Sequence, residues 1–288
     1  MPTSNLYFEE GKTINCGGQL IDFSSPKIMG ILNVTPDSFY DGGKYCSDEE
    51  ITNRAKEIIA EGADIIDIGA YSSRPGAKDI SEQEESEIIF NALSIVRREF
   101  PDAIISVDTF RASIADKAIT NFNVQIINDI SAGEADEEMF NIIAKHNVPY
   151  IIMHMQGTPQ TMQQNPTYDN VSLDIVKYFS NKVDKLRLMG VNDIVIDPGF
   201  GFGKTIEHNY QLLKNLNHFK VLNLPILAGL SRKSMLYKPL NITANDALTA
   251  TISANTIAIL NGANILRVHD VKQAVESVKL VGLYNSFN

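Results

Sequence analysis

Four side chains near the C-terminal end carry the plainest chemistry in this sequence: Arg232, Lys233, Arg267 and His269. They fall in two short segments, Ser231-Arg232-Lys233-Ser234 and Arg267-Val268-His269-Asp270. Guanidinium, ammonium and imidazole donors grouped in this way suit an oxyanion such as a phosphate. A helix starting near Asp270 would aim further backbone N–H groups at the same anion. Surface salt bridging is the plainer reading of the same cations. A second set suits a heterocycle edge. Asp108 and Asp197 can each accept two parallel donors from an amidine-like group, and Asn128 offers both a donor and an acceptor. Phe202 and Met153 could sandwich a flat ring, or simply fill core. Asp197-Pro198-Gly199 also reads as an ordinary turn. His154 is a candidate general base, although a core histidine bonded to backbone explains it more simply.

Two apparent motifs fail. Gly203-Lys204-Thr205 resembles the end of a phosphate-binding Walker loop, but the first glycine that loop requires would fall at Pro198. Cys16 and Cys46 have neither metal-ligand spacing nor the neighbours of a nucleophile, and read as reduced thiols.

These residues need elements that bring them together. Eight short, mostly β-branched apolar runs recur along the chain: Ile28–Leu32, Ile65–Ile68, Ile104–Val107, Val124–Ile127, Tyr150–Met153, Ile194–Ile196, Ile226–Leu230 and Ile265–Val268. They lack alternation, as expected of strands covered on both faces. Amphipathic stretches separate them, at Asp48–Glu61, Ser81–Glu99, Arg111–Asn121, Asp136–His146, Asp169–Met189, Ile206–His218, Ala244–Asn261 and Val271–Leu283. Ser47 with Glu50, and Ser81 with Glu84, read as capping boxes. Gly62, Gly190 and Gly262 mark helix ends. Eight strand–helix units predict an α/β fold, a (β/α)8 TIM barrel, with an open doubly wound sheet as the rival. Residues 1–27 stand outside the repeat. Thr13–Cys16, Gly17-Gly18 and Gln19–Phe23 predict an N-terminal β-hairpin packed on the barrel of residues 28–288.

In a barrel, the residues after each strand share one face, and that face carries the site. They include Asn33, Asp41, Ser73, Arg74, Pro75, Asp108, Asn128, His154, Asp197, Ser231 and His269. The chain has 25 basic and 35 acidic residues, a net charge of −10, and no basic run. That disfavours general nucleic-acid binding, so an anion would be held by local arrangement and not by bulk field. No apolar stretch is long enough to span a membrane, and the first residues lack a secretory pattern. A cytoplasmic location is expected.

Several long motifs then occur in a fixed order: ILNVTPDSF (31–39), SSRPGA (72–77), SVDT (106–109), IND (127–129), MHMQGTP (153–159), DPGFGFGK (197–204), SRKS (231–234) and RVHD (267–270). From about Ile28 to Val271 the chain resembles the dihydropteroate synthase family. That resemblance implies a (β/α)8 barrel, commonly a homodimer, that uses Mg2+. Its reaction joins 6-hydroxymethyl-7,8-dihydropterin diphosphate to 4-aminobenzoate, giving 7,8-dihydropteroate and pyrophosphate for folate synthesis. It further implies Asn33 and Asp41 as magnesium ligands, with Asn33 meeting the diphosphate. Asp108, Asn128, Met153, Asp197 and Lys233 would hold the pterin. Arg267, His269 and the Val268 backbone would hold the diphosphate. Ser73, Arg74, Pro75, Phe202 and Ser231 would shape the aminobenzoate site. The second loop departs from the family's common E-S-T-R-P-G, reading Tyr71-Ser72-Ser73-Arg74-Pro75-Gly76. The rival readings are a pterin-dependent methyltransferase and a non-catalytic pterin-binding barrel. A phosphosugar lyase using Lys233 as an imine is a more remote one.

Overall fold

A computed structural model describes residues 12–34, 47–72, 79–158, 161–162 and 165–287. Asp41, Cys46, Ser73, Arg74 and Pro75 lie outside the described residues. The eight apolar runs form parallel strands: β3 (Lys27–Asn33), β4 (Ile65–Gly69), β5 (Ile105–Asp108), β6 (Ile126–Asp129), β7 (Tyr150–Met153), β8 (Ile194–Asp197), β9 (Leu227–Ala228) and β10 (Ile265–Val268). Neighbours run β8-β7-β6-β5-β4-β3-β10-β9, and an Ile196–Ile226 bridge joins the two ends of the sheet. The result is the expected barrel, and the open sheet is excluded.

The hairpin forms as β1 (Thr13–Cys16) and β2 (Gln19–Asp22), with Gly17 and Gly18 at positive φ in the turn. Its Ile14, Cys16, Ile21 and Phe23 cluster with Met29, Ile65, Ile104, Ile126, Ile151, Val195, Leu227 and Ile265. The second group is one residue from, or just before, each barrel strand. The hairpin therefore plugs the end of the barrel opposite the loops that carry the polar residues. Each large apolar side chain buried there contributes about 1.5–3 kcal/mol. Burial pushes the Cys16 thiol up to about 12, so it is an inert core group, not a nucleophile.

The helices cover the outer wall: α1 (Asp48–Ala60), α2 (Glu82–Glu99), α3 (Ala112–Phe122), α4 (Met139–His146), α5 (Val171–Leu188), α6 (Ile206–Lys214), α7 (Ser234–Tyr237), α8 (Leu248–Leu260) and α9 (Val271–Ser286). Both expected capping boxes are present, at Ser47 and Ser81. A third, Thr205 with His208, has no Glu or Gln to announce it. The stretch expected as one helix over Ile206–His218 instead ends at Lys214 and continues as a 3-10 helix over Leu216–Leu222. The tighter three-residue turn puts Leu216 and Phe219 on one side, and both are buried. The run Ile226–Leu230 pairs only over Leu227–Ala228, because from Gly229 onward the chain turns to present Ser231 and Lys233 to the barrel mouth.

Candidate active site

Strand alternation decides which side chains enter the barrel. Since Met29, Ile65, Ile126, Ile151, Val195 and Ile265 face its floor, the residues two and four places on face the space above. Those are Asn33, Asp67, Gly69, Asn128, Met153, Asp197 and Arg267; Ser106 and Asp108 follow from Ile104 in the same way. The intervening residues, among them Ile66, Ile127, Ile196 and Val268, pack outward against the helices. Val268 can thus offer a ligand only its backbone.

The carboxylate of Asp197 ends β8 and is buried. Its Oδ1 accepts the Gly199 N–H at 2.8 Å, so the Asp-Pro-Gly turn is real and orients the acid. Burial raises the Asp197 carboxyl, against the pull of Lys233. Lys233 reaches in from the loop after β9 and donates to the Phe200 carbonyl. Its ammonium also lies 4.7 Å from the centre of the Phe202 ring. Burial pushes Lys233 down to about 8, with Asp197 opposing. A Cβ on Gly229 would lie 3.7 Å from Lys233 Nζ and 3.9 Å from Asp197 Oδ2, so both charged groups converge over that glycine. Met153 is in register with Asp197 and is buried beside it.

Lys204, the lysine of the failed Walker motif, has a different task. It is buried, and its ammonium donates to the carbonyls of Gly199 (2.9 Å), Phe202 (2.9 Å) and His154 (3.3 Å) and to His154 Nδ1 (3.1 Å). It ties the β8 loop to the end of β7. His154 is buried and held well below its usual range, to about 3, first by burial and then by Lys204. It is a neutral core histidine and not a general base. Gly199 allows this approach: its φ is +74°, and a Cβ there would lie 1.9 Å from the His154 carbonyl oxygen.

Arg267 lies at the centre of the barrel. Its Nε donates to Asp67 Oδ2 and its Nη2 to Asp108 Oδ2, each at 2.6 Å. Asn128 Nδ2 donates to the same Asp67 Oδ2 at 3.2 Å. Asp108 and Asn128 are also register partners, as are Asn33 with Gly69 and Gly69 with Asp108. The expected pterin and diphosphate residues therefore form one connected rim. Burial pushes Asp108 upward while Arg267 draws it down, and the two carboxylates hold Arg267 fully charged. Asp67 was not anticipated. The signal was present, since a lone carboxylate in Ile65-Ile66-Asp67-Ile68-Gly69 shares a face with the C-terminal glycine.

The last two loops divide their cations differently from the expectation. Arg232 is not an anion donor. Its Nε and Nη2 pair with both oxygens of Asp270 at 2.9 and 2.8 Å, and Nη1 donates to the Ala244 and Asn245 carbonyls. Nor does His269 bring charge, because burial and then Arg267 hold it down to about 4. The Ser231 hydroxyl accepts the His269 N–H at 3.3 Å and lies 2.9 Å from its Nδ1. That contact holds the neutral ring in place beside Arg267. Arg54, also unforeseen, reaches from α1 to the His269 carbonyl at 2.6 Å. At the start of α9 the Lys272 N–H is already taken by Glu61, so the helix offers fewer free donors than its bare terminus implied.

Comparison with known proteins agrees with this geometry. A family model described as pterin binding enzyme matches residues 29–269. The dihydropteroate synthase of Escherichia coli strain K12 is 40% identical over 266 residues, covering 92% of this chain and 93% of that protein. That of Haemophilus influenzae is 42% identical over 262 residues, covering 90% and 94%. A crystal structure of Yersinia pestis dihydropteroate synthase in a sulfonamide drug complex matches with a TM-score of 0.90 at 38% identity, covering 96% of this chain and all of that one. A structure of the Xanthomonas albilineans dihydropteroate synthase with 4-aminobenzoic acid matches with a TM-score of 0.87 at 31% identity, covering 96% and 99%. With the barrel, the motif order and the rim all in agreement, the chain belongs to the dihydropteroate synthase family of pterin-binding enzymes.

Proposed function

We propose that this chain is the transferase that joins 6-hydroxymethyl-7,8-dihydropterin diphosphate to 4-aminobenzoate, releasing pyrophosphate and 7,8-dihydropteroate for folate synthesis. The observation that carries the reading is the grouping, at one end of the barrel, of acids and cations from different strands: Asp197 beside Lys233 and Arg267, Asp108 on Arg267, and Asn128 joined to Arg267 through Asp67. The carboxylates and Asn128 suit the amidine edge of a pterin; Arg267 and His269 suit a diphosphate.

In the reaction the bond from the methylene carbon to the diphosphate oxygen breaks, and its electron pair leaves with pyrophosphate. The arylamine nitrogen then bonds to the carbon and releases a proton. The electron-rich dihydropterin spreads the positive charge on the methylene, which favours a dissociative path. The protein's part is to fix the two ends. Asp197 and Asn128 hold the ring, while Arg267 and the neutral His269 meet the charge that develops on the leaving group. An aniline-type amine is neutral at pH 7, so no strong base is needed, in keeping with the neutral His154. Ser231 and Phe202, with Ser73, Arg74 and Pro75, would receive the aminobenzoate.

The donor set suits Mg2+. Asn33 offers a neutral oxygen at the mouth, and among the described residues no group of three or more His, Cys, Asp or Glu forms a closed metal cage. Mg2+ commonly takes only one or two protein ligands and completes its shell with water and substrate phosphates. Asn33, with Asp41, would hold the ion, which when bound neutralises charge on the departing diphosphate. For a homodimer, α8 offers exposed Ile257 and Leu260 as a face, with Ile257 sharing a groove with Leu240. Among the described residues no helix is long and apolar enough to cross a membrane.

The test is to mix the chain with both substrates, with and without Mg2+, and follow pyrophosphate. Metal-dependent release matched by dihydropteroate is expected. Tight pterin binding without release would establish the non-catalytic reading instead. Borohydride trapping should leave Lys233 unmodified, against the imine chemistry of a lyase.

A further inference from the structure

Resting on that function, we propose that Asp67 is a positioning residue for both substrate-binding arms, setting the rotamer of Arg267 and the amide orientation of Asn128 through one carboxylate oxygen. Asp67 is fully buried on β4, two residues below the mouth. Its Oδ2 accepts Arg267 Nε at 2.6 Å and Asn128 Nδ2 at 3.2 Å. Its Oδ1 has no hydrogen-bond partner among the described residues, and neither does Ser106 Oγ, its register neighbour on β5. An acid placed only to brace the wall would be expected to spend both oxygens on it, because an unsatisfied buried carboxylate oxygen is costly. Here one oxygen carries both contacts, and both go to residues that face the ligand.

The consequences are chemical. With one Nδ2 hydrogen committed to Asp67, the amide orientation of Asn128 is fixed, and its Oδ1 and its second N–H are set in a defined donor–acceptor order toward a ring edge. With Nε on Asp67 and Nη2 on Asp108, Arg267 keeps Nη1 for an anion. The same buried oxygen therefore ties recognition of the heterocycle to placement of the diphosphate.

Two substitutions separate this role from simple support of the fold. Asp67→Ala removes the acceptor. The KM for the diphosphate substrate should rise by about ten-fold or more while the KM for 4-aminobenzoate stays within about two-fold. Calorimetry with 6-hydroxymethylpterin lacking the diphosphate should show a similar loss. On an Asn128→Ala background the same substitution should change that affinity by less than about three-fold, since the group it orients is gone. Asp67→Asn keeps an acceptor oxygen and removes the charge. Pterin affinity should then stay within about three-fold of wild type, while the KM for the diphosphate substrate rises about ten-fold. Additive losses in the cycle, equal losses for both ligands in Asp67→Asn, or no loss at all would overturn the inference. If Asp67→Ala does not fold, the near-isosteric Asp67→Asn decides alone. A wild-type chain that releases no pyrophosphate would instead refute the proposed function, so the two failures are distinguishable.

Discussion

Removing Arg267 should cost stability as well as activity, and the cost should depend on pH in a set direction. In Arg267→Met the long apolar stem is kept and the guanidinium is lost. Asp67, fully buried, and Asp108, with 21% of its side chain exposed, then lose the cation that both contact at 2.6 Å. Removing one partner of a buried ion pair costs about 3–5 kcal/mol, chiefly because the remaining charge is stranded. For a chain of this size, 1 kcal/mol moves the midpoint by about 2–4 °C, so a fall of about 6–15 °C is expected at pH 7. Burial already raises Asp108 to about 7 against the pull of Arg267; without that cation it would rise further above its unfolded value. The folded variant then binds more protons than its unfolded chain, and its stability falls as pH rises through that window. The deficit against wild type should be smallest below about pH 7, where Asp108 is protonated in both chains, and should grow as pH rises through and above 7. Thermal melts of both chains at pH 5, 6, 7 and 8, followed by circular dichroism, measure it. Neutralising the acids as well, in Arg267→Met/Asp67→Asn/Asp108→Asn, should restore most of the midpoint and none of the turnover. A variant that melts within about 2 °C of wild type at every pH would refute the reasoning, since the fully buried Asp67 cannot keep an unpaired charge at no cost.

Other consequences are more local. Binding should need the protonated form of Lys233, so kcat/KM for the diphosphate substrate should fall as pH rises through about 8, and Lys233→Arg should move that limb beyond the accessible range even if the rate drops. Because the folded pKa of Lys233 lies below the unfolded value, this lysine adds stability over the same rise in pH; melts and kinetics should trend in opposite directions. Gly199→Ala places a Cβ against the His154 carbonyl at positive φ and should shift the loop bearing Asp197 and Phe202, lowering kcat/KM by about 100-fold in steady-state assays. Phe23→Ala opens the floor on the far side of the barrel and should cost about 3–5 kcal/mol in denaturant melts, with the KM of both substrates unchanged.

The barrel was legible in the sequence because each of its units is locally encoded. Ile65–Ile68 and Ile265–Val268 are too short and too β-branched to be anything but buried strands, and Ser47/Glu50 and Ser81/Glu84 announce their helices within four residues. The site's location followed, since the fold places every strand end on one face. The residue types at Asp108, Asn128, Asp197, Lys233 and Arg267 were equally visible. Which partner each one takes was not. Arg232 and Arg267 are both arginines in rim segments, yet one is paired with Asp270 and the backbone beside it, and the other with Asp67 and Asp108 at the barrel centre. His154 loses its charge to burial and to Lys204 from the loop after β8, and His269 to burial and to Arg267 two residues before it. Asp67 meets Arg267 across 200 positions. Strand alternation and capping are written within a few residues, whereas ion pairing and desolvation depend on which distant side chains share a space. The chain alone therefore determined the fold and the chemical groups available at the rim; only tertiary packing decided which of them stay charged and which remain open to a ligand.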